Sequence, residues 1–130
     1  FKDFGRAAAR IDDAANYLPA RLTALLMALA ACIPFRQGKS ARNLKEELRF
    51  IRRYGRMHAS PNSGYPESAL AGILDCRFGG PHHYFGEYCF KPYIGNRLRP
   101  LTTTDMQQAV AVNWRAEILM LLTGVLLYLL

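Results

Sequence analysis

The sequence predicts an all-α fold, a fragment of a helical integral membrane protein with a long, ordered loop rich in glycine, proline and aromatic residues. Three observations lead to this prediction. Residues 18–35 and 118–130 are almost entirely apolar, residues 36–56 are strongly basic, and turn-forming residues concentrate in residues 57–104. The 130-residue chain is long enough for one domain over residues 1–130, and its 51% apolar content argues against disorder.

The first two predicted helices meet close to a proline. Residues 3–17 are rich in alanine, and Pro19 suits the first turn of the next helix because proline loses no needed donor there. Residues 18–35 are a candidate membrane helix. Their number falls slightly short of the roughly 20 residues that cross a bilayer core, and Arg21 can snorkel to the interface. The alternative is a buried core helix of a soluble bundle.

The spacing of Leu44, Leu48 and Ile51 predicts a basic amphipathic helix over residues 40–56, with these three residues on one face. The wider segment of residues 36–56 has eight Lys or Arg and two Glu, and so holds +6 of the net charge of +7. Such a helix lies in the plane of lipid headgroups or, equally well, packs on a partner domain. Because no nucleic-acid-binding motif accompanies the charge, we expect contacts with anionic lipid or substrate and none with nucleic acid.

Two further helices are predicted downstream. Residues 66–74 form a short helix, which Pro66 opens at its first turn. Residues 105–130 form the last helix, which enters the membrane at its apolar end. Thr104 and Gln107 fit a capping box for this helix. The sequence predicts no pair of strands.

The loop of residues 57–104 holds the sharpest candidate site, the stretch "SPNSG". Pro61 fixes φ, Asn62 can cap a turn with its side chain, and Gly64 permits positive φ. Together they can turn backbone N–H groups toward an anion, beside the N-terminus of the short helix, where phosphate or carboxylate binds favourably. The alternative is an ordinary tight turn before a helix.

Patterns for metal binding are sparse. The three cysteines are irregularly spaced and fit reduced, structural thiols, and the adjacent His82 and His83 do not share a face, so we expect no zinc. Asp12, Asp13 and Asn16 form an oxygen-rich helix face that can hold Mg²⁺ through water and a nucleotide phosphate. The alternative is that these groups pair with basic residues one turn earlier.

Four motifs carry a resemblance to a known family. They are "DDAANYLPARLTALL" (residues 12–26), "SPNSGYPESALAGIL" (60–74), "FGGPHHYFGE" (78–87) and "KPYIG" (91–95). With these motifs the chain resembles the adenosylcobinamide-phosphate synthases of cobalamin biosynthesis, which are integral inner-membrane enzymes. The combination of "SPNxGxPE" with "GGPxxYxG" is the specific part of the likeness.

The resemblance implies an enzyme that forms an amide between adenosylcobyric acid and aminopropanol or its phosphate, with ATP and Mg²⁺ as cofactors. At these motif positions we expect the following roles, which the likeness by itself does not assign: catalysis by Asn62, Glu67 and Asp13, substrate or phosphate binding by Arg21, Ser60, Gly64, Gly79, Gly80 and Tyr84, and Mg²⁺ binding by Asp13 and Asn16. The rival interpretation is a catalytically silent membrane relative that acts as a sensory or regulatory module.

The implied partners are the corrinoid, the amine, the lipid bilayer and a missing N-terminal half of the same protein. The missing half is expected because family members are longer and this chain begins with Phe1. The implied location is the bacterial inner membrane, with several spans and the motif loop in the cytoplasm. If residues 18–35 span the membrane, the positive-inside rule gives the same orientation. Trp114 and Arg115 are then expected at the membrane interface.

Overall fold

A computed structural model of the protein describes residues 2–34 and 43–130, which form five helices and one pair of strands. In chain order the elements are α1 (Lys2–Ala15), α2 (Tyr17–Ala31), α3 (Leu44–Tyr54), α4 (Gly64–Leu74), β1 (Phe78–Tyr84), β2 (Glu87–Ile94) and α5 (Thr103–Leu129). The chain is therefore mostly helical, and the all-α prediction is approximately right, with a small sheet added.

Helix α2 is the centre of the core and packs against α3, α4 and α5. Its buried side chains are mostly small, which lets neighbouring helices approach closely; they are Ala24, Leu26, Met27, Ala28, Ala30 and Ala31. The facing helices contribute Ile51, Ala69, Ile73, Val112 and Ala116. Burial of this apolar surface is the main stabilisation of the helix layer.

The helix ends differ from their predicted positions by a few residues. Helix α3 begins at Leu44, where the side chain of Asn43 accepts a hydrogen bond from the Lys45 backbone N–H at 3.0 Å. The predicted helix over residues 40–56 thus holds for 44–54, while residues 40–42 lie outside the described part of the chain. Helix α4 begins at Gly64 rather than Pro66, so the proline lies inside the first turn.

The predicted capping box at Thr104 and Gln107 is wrong. The side chains of Thr102 and Asp105 form it instead: the Asp105 carboxylate accepts from the Thr102 N–H at 2.9 Å, and the Asp105 N–H donates to the Thr102 hydroxyl at 3.3 Å. An aspartate three residues after the cap reaches back as a glutamate does in the usual motif.

The prediction that residues 57–104 contain no strand pair is also wrong. Strands β1 and β2 pair antiparallel, with Tyr84 opposite Glu87. Phe85 and Gly86, at φ 50° and 85°, make a two-residue turn with both central residues at positive φ, which matches the twist of the strands. Gly79, Gly80 and Pro81 in β1 and Pro92 in β2 weaken the sequence signal for a strand, so the pattern resembles that of a loop.

Arg99 joins the end of α4 to the start of α5. Its guanidinium donates to both carboxylate oxygens of Asp105, at 2.7 and 2.8 Å, and to the carbonyl oxygens of Leu74 (2.6 Å) and Asp75 (3.1 Å). Asp105 is only 2% exposed. The hydrogen bonds to the Asp105 carboxylate raise the pKa of Arg99 above its ordinary value, which favours the charged guanidinium. Sequence inspection missed this pair.

Helix α5 meets the length and composition requirements for a membrane span, and among the described helices it does so alone. It has 27 residues, and its C-terminal side chains are exposed; they include Leu121, Leu122, Val125, Leu126, Leu127 and Leu129. Helix α2 has 15 residues and meets the requirements only together with α1, from which it is bent by 42°. The span predicted at residues 18–35 stays a prediction, and Phe35 lies outside the described residues.

Arg115 contacts protein rather than only a membrane interface. Its guanidinium donates to the carbonyl oxygens of Ala30 (3.3 Å), Ile33 (2.8 Å) and Pro34 (3.1 Å). These carbonyl groups lie at and just beyond the C-terminal end of α2, where helical partners become scarce. Arg115 therefore fastens α5 to the C-terminal end of α2.

We predict that Arg99→Ala lowers the free energy of unfolding by about 3 kcal/mol, because it leaves the buried Asp105 charge without its main partner. Arg97→Ala is the matched control, since Arg97 pairs with Asp75 at the surface, at 2.8 Å with both side chains more than half exposed. We expect that change to cost less than about 1 kcal/mol. Thermal unfolding in detergent measures both, and equal losses would contradict the proposed role of Arg99.

Candidate functional site

The Arg21 guanidinium contacts three stretches of the chain, namely α2, the "SPNSG" turn and α4. It lies 3.4 Å from the ring centroid of Tyr17 and 4.2 Å from that of Tyr65, and so is held between two aromatic faces. It donates hydrogen bonds to the Tyr17 carbonyl at 2.6 Å and to the Asn62 amide oxygen at 3.1 Å. A cation between aromatic rings is stabilised by their quadrupoles. This arrangement fixes α2, α4 and the "SPNSG" turn relative to one another.

Asn62 is 5% exposed and uses both ends of its side-chain amide within the protein. Its oxygen accepts from Arg21, and its NH₂ donates to the Asp13 backbone carbonyl at 2.8 Å. The turn is thereby tied to α1 as well as to α2. The geometry makes Asn62 a positioning residue for the turn, whereas its predicted catalytic role stays a prediction.

The backbone N–H groups of the turn do not all point toward a ligand. The Ser60 hydroxyl accepts from the N–H groups of Asn62 (3.3 Å) and Ser63 (3.4 Å), as in a local serine turn. Gly64 is the first residue of α4 and is not among the glycines at positive φ, so that expectation is wrong. Glycine is needed there for space, because a Cβ at this position would collide with the Gly55 carbonyl oxygen.

His58 and Glu67 form a pair beside the turn. The His58 Nε2 lies 3.7 Å from a Glu67 carboxylate oxygen, and the His58 Nδ1 accepts from the Ser60 N–H at 3.0 Å. The Ser60 contact makes Nδ1 an acceptor and leaves Nε2 to carry the proton toward Glu67. The sequence suggested Glu67 as a site residue but not its partner His58, since a lone histidine two residues before a motif gives no recognisable pattern.

The predicted Mg²⁺ ligands lie on α1, next to the turn. The Asn16 side-chain NH₂ donates to Asp12 at 2.9 Å, while Asp13 is half-buried. Within residues 5–34 and 43–130, no three His, Cys, Asp or Glu side chains gather as a metal-binding group. This donor set fits a Mg²⁺ ion held by one or two carboxylates, water and a phosphate, and does not fit a site made by protein ligands alone.

The structure does not bring Gly79, Gly80 and Tyr84 together with the turn. They lie on β1, whose base packs, through Phe78, near Tyr54 at the end of α3. The hairpin follows the C-terminus of α4 and the turn precedes its N-terminus, so the length of α4, roughly 16 Å, separates them. Gly80 has φ 96° and faces the Tyr93 ring. The Tyr84 side chain lies outside the described part of the structure.

A basic pocket adjoins the turn, with a volume of about 320 Å³. Its polar lining consists of Arg21, Arg52, Arg56 and Tyr65, and its apolar wall of Ala24, Leu25, Leu48 and Ile51. The Arg56 guanidinium beside the Tyr65 hydroxyl lowers the pKa of that phenol below its ordinary value, because a cation favours the phenolate. The basic face of α3 is therefore turned, in part, toward the motif turn.

Comparisons with known proteins identify related sequences. Residues 1–113 match the family model described as CobD/Cbib protein. The chain is 47% identical over 119 residues to the cobalamin biosynthesis protein CobD of Geobacter metallireducens, with 92% of this chain and 36% of the relative covered. It is 41% identical over 121 residues to CobD of Klebsiella pneumoniae, with 93% and 36% covered. The chain thus spans about a third of the length of these relatives. No solved structure matches it.

We predict that Asn62→Ala lowers the free energy of unfolding by about 1–3 kcal/mol, because it removes the amide donor of the Asp13 carbonyl and one of the acceptors of Arg21. Asn16→Ala removes an exposed amide with one local bond, so a change within about 0.5 kcal/mol is expected. Chemical denaturation of the two variants provides the comparison. An Asn62 variant as stable as the Asn16 variant would show that the turn is not held this way.

We also predict that Tyr65 ionises at lower pH than an ordinary tyrosine side chain. The pKa of Tyr65 is lowered by Arg56, so its phenolate forms before the pH reaches 10, the ordinary value for tyrosine. Absorbance of phenolate during a pH titration measures this, and Tyr65→Phe identifies the early component. Arg56→Gln should move that component back to higher pH. A titration that Arg56→Gln leaves unchanged would contradict the contact.

Proposed function

The chain belongs to the CobD/CbiB family, and we propose on this premise that it is part of an adenosylcobinamide-phosphate synthase of cobalamin biosynthesis. The reaction joins adenosylcobyric acid to aminopropanol, or to its phosphate, by an amide bond. Its relatives are named cobalamin biosynthesis proteins, which supports a biosynthetic enzyme over a silent regulatory relative. ATP and Mg²⁺ are the proposed cofactors, and the remainder of the site is proposed to come from an N-terminal half of the same protein.

The observation that carries the proposal is the convergence of the family-like motifs at Arg21. Asp13 and Arg21 come from the first motif, and Asn62 comes from the second, 41 residues after Arg21 in the chain. Their side chains and backbone make direct contacts, although nothing in a helix bundle requires these three positions to meet. A shared site explains why the motifs occur together.

Amide formation requires an amine that has lost its proton and a carboxylate that has been activated. ATP with Mg²⁺, when bound, supplies the activation. In the proposed mechanism Glu67, held against His58 at 3.7 Å, accepts the proton of the attacking amine nitrogen. Arg21 stabilises negative charge near the turn, since its position is fixed before substrate binds.

The exposed aromatic residues of the hairpin are proposed to contact the large corrinoid. Phe85, Tyr88 and Phe90 are 96%, 66% and 55% exposed, an unusual exposure for aromatic side chains within one hairpin. The enzyme is proposed to reside in the inner membrane, with several spans and the motif turn facing the cytoplasm. The apolar end of α5 supports membrane attachment.

We predict that Glu67→Gln abolishes synthesis, because a neutral amide cannot accept the proton. The complete protein carrying this chain is placed in a bacterium that lacks this step, and growth on cobyric acid is required. General-base catalysis contributes roughly 10²-fold or more, so corrinoid yield should fall by at least that factor.

The matched control is Glu46→Gln, an exposed glutamate in the first turn of α3, which should support normal growth. Immunoblots of membrane fractions show whether both variants accumulate equally. Full growth with Glu67→Gln at normal protein levels would refute the proton-acceptor role. Failure of the unaltered protein to support growth, although it is inserted in the membrane, would refute the proposed function itself.

A further inference from the structure

The basic pocket beside the motif turn is bounded by three helices. Arg21 comes from α2, Arg52 from the last turn of α3 and Tyr65 from α4. Arg56 lies two residues beyond the C-terminal end of α3. The three arginines thus line one space of about 320 Å³.

The positive charge of this pocket is not neutralised by the described protein. Between described residues the ion pairs are His58–Glu67, Arg97–Asp75 and Arg99–Asp105. No carboxylate in that part of the chain pairs with Arg21, Arg52 or Arg56. Three like charges around one pocket repel one another, and this repulsion destabilises the fold unless an anion enters.

The three arginines differ in how firmly they are held. Arg21 is fixed by the two tyrosine rings and the Asn62 oxygen, and Arg56 lies beside the Tyr65 hydroxyl. Arg52 is exposed and makes no hydrogen bond to any other described residue. Arg21 and Arg56 are therefore held in place before a ligand binds, while Arg52 is available to contact a bound ligand.

We propose that this pocket binds a phosphoryl group. A carboxylate carries a single charge and is matched by one guanidinium in a bidentate pair, so three arginines exceed its needs. A phosphate monoester carries nearly two negative charges and has three terminal oxygens, which three guanidinium groups can each contact. Bidentate donors arranged around a phosphate are the geometry for which arginine is suited.

The apolar wall of the pocket indicates that the phosphoryl group is attached to a carbon-containing body. Ala24, Leu25, Leu48 and Ile51 form this wall next to the arginines. A phosphorylated reactant and the headgroup of an anionic lipid share this chemistry. The pocket itself rests on geometry and charge, whereas its assignment to a reactant rests on the proposed function.

The test compares Arg52→Gln with Arg53→Gln in the purified complete protein, held in a zwitterionic detergent. Both residues are exposed on α3 and both changes remove one positive charge, but Arg53 lies over the Tyr54 ring, at 5.3 Å, and does not line the pocket. Calorimetric titration with inorganic phosphate and with pyrophosphate measures the affinity. Loss of one charge-assisted hydrogen bond should weaken binding about tenfold or more in Arg52→Gln and less than about twofold in Arg53→Gln.

A second arm distinguishes the two sources of the phosphoryl group. Binding of the same variants to vesicles of phosphatidylcholine with phosphatidic acid is compared with binding to phosphatidylcholine alone. Arg52-dependent binding of phosphate or pyrophosphate supports a soluble phosphorylated ligand, and dependence confined to phosphatidic acid supports a lipid headgroup. Equal effects of the two variants, or no effect of either, would overturn the proposal.

These measurements involve no turnover, so their failure is separate from failure of the proposed function. If the protein supports growth but shows no Arg52-dependent binding, the phosphoryl-binding proposal is refuted and the proposed function stands. If it binds pyrophosphate through Arg52 but supports no growth, the proposed function is refuted and the phosphoryl-binding proposal stands.

Discussion

The architecture of the candidate site depends on one guanidinium group, that of Arg21. It is held between two tyrosine rings and hydrogen-bonded to Asn62, which in turn holds the backbone of α1 at Asp13. Among the described residues, this guanidinium donates the hydrogen bonds that join α2 to the turn before α4. Desolvation of this half-buried arginine is offset by the two aromatic faces and by its hydrogen bonds to the Tyr17 and Pro61 carbonyls and the Asn62 amide oxygen.

Arginine has the same structural task at three places in the chain. Arg21 donates to carbonyl oxygens next to α2 and the turn, Arg99 to those at the end of α4, and Arg115 to those at the end of α2. The C-terminal ends of helices leave carbonyls without helical partners, and Arg99 and Arg115 donate to carbonyls at such ends, whereas the Tyr17 carbonyl lies in the first turn of α2. Some of the arginines that make the chain basic thus have a structural role, since they hydrogen-bond to backbone carbonyls within the protein. Arg52 and Arg56 differ, since they line a pocket that no described carboxylate neutralises.

Sequence patterns predicted the helices well because their signals are local. Apolar periodicity located α3, a first-turn proline located α4, and unbroken apolar residues located α5. The hairpin was missed because its stability comes from strand pairing and from the Phe85–Gly86 turn, while Pro81 and Pro92 weaken the strand signal. Gly64 was assigned to a positive-φ position, whereas it is required by the nearby Gly55 carbonyl, a contact between residues nine apart that no local pattern reveals.

Only part of the candidate site could be predicted, because its contacts join residues that are far apart in the chain. The resemblance identified Arg21 and Asn62 as motif positions, but only the structure joins them directly. The structure also shows His58 beside Glu67. The turn lies before α4 and the hairpin glycines lie after it. Long-range contacts of this kind depend on how helices pack, which residue spacing does not determine.

The central claim is that the motifs meeting at Arg21 belong to an amide-forming enzyme. The most direct test incubates the purified complete protein with adenosylcobyric acid, aminopropanol phosphate, ATP and Mg²⁺, and identifies corrinoid products by mass spectrometry. The account predicts a product heavier than the acid by the amine less one water, formed only when ATP is present and absent with Glu67→Gln. Unchanged adenosylcobyric acid after incubation with folded, membrane-inserted protein, with either form of the amine, would contradict it.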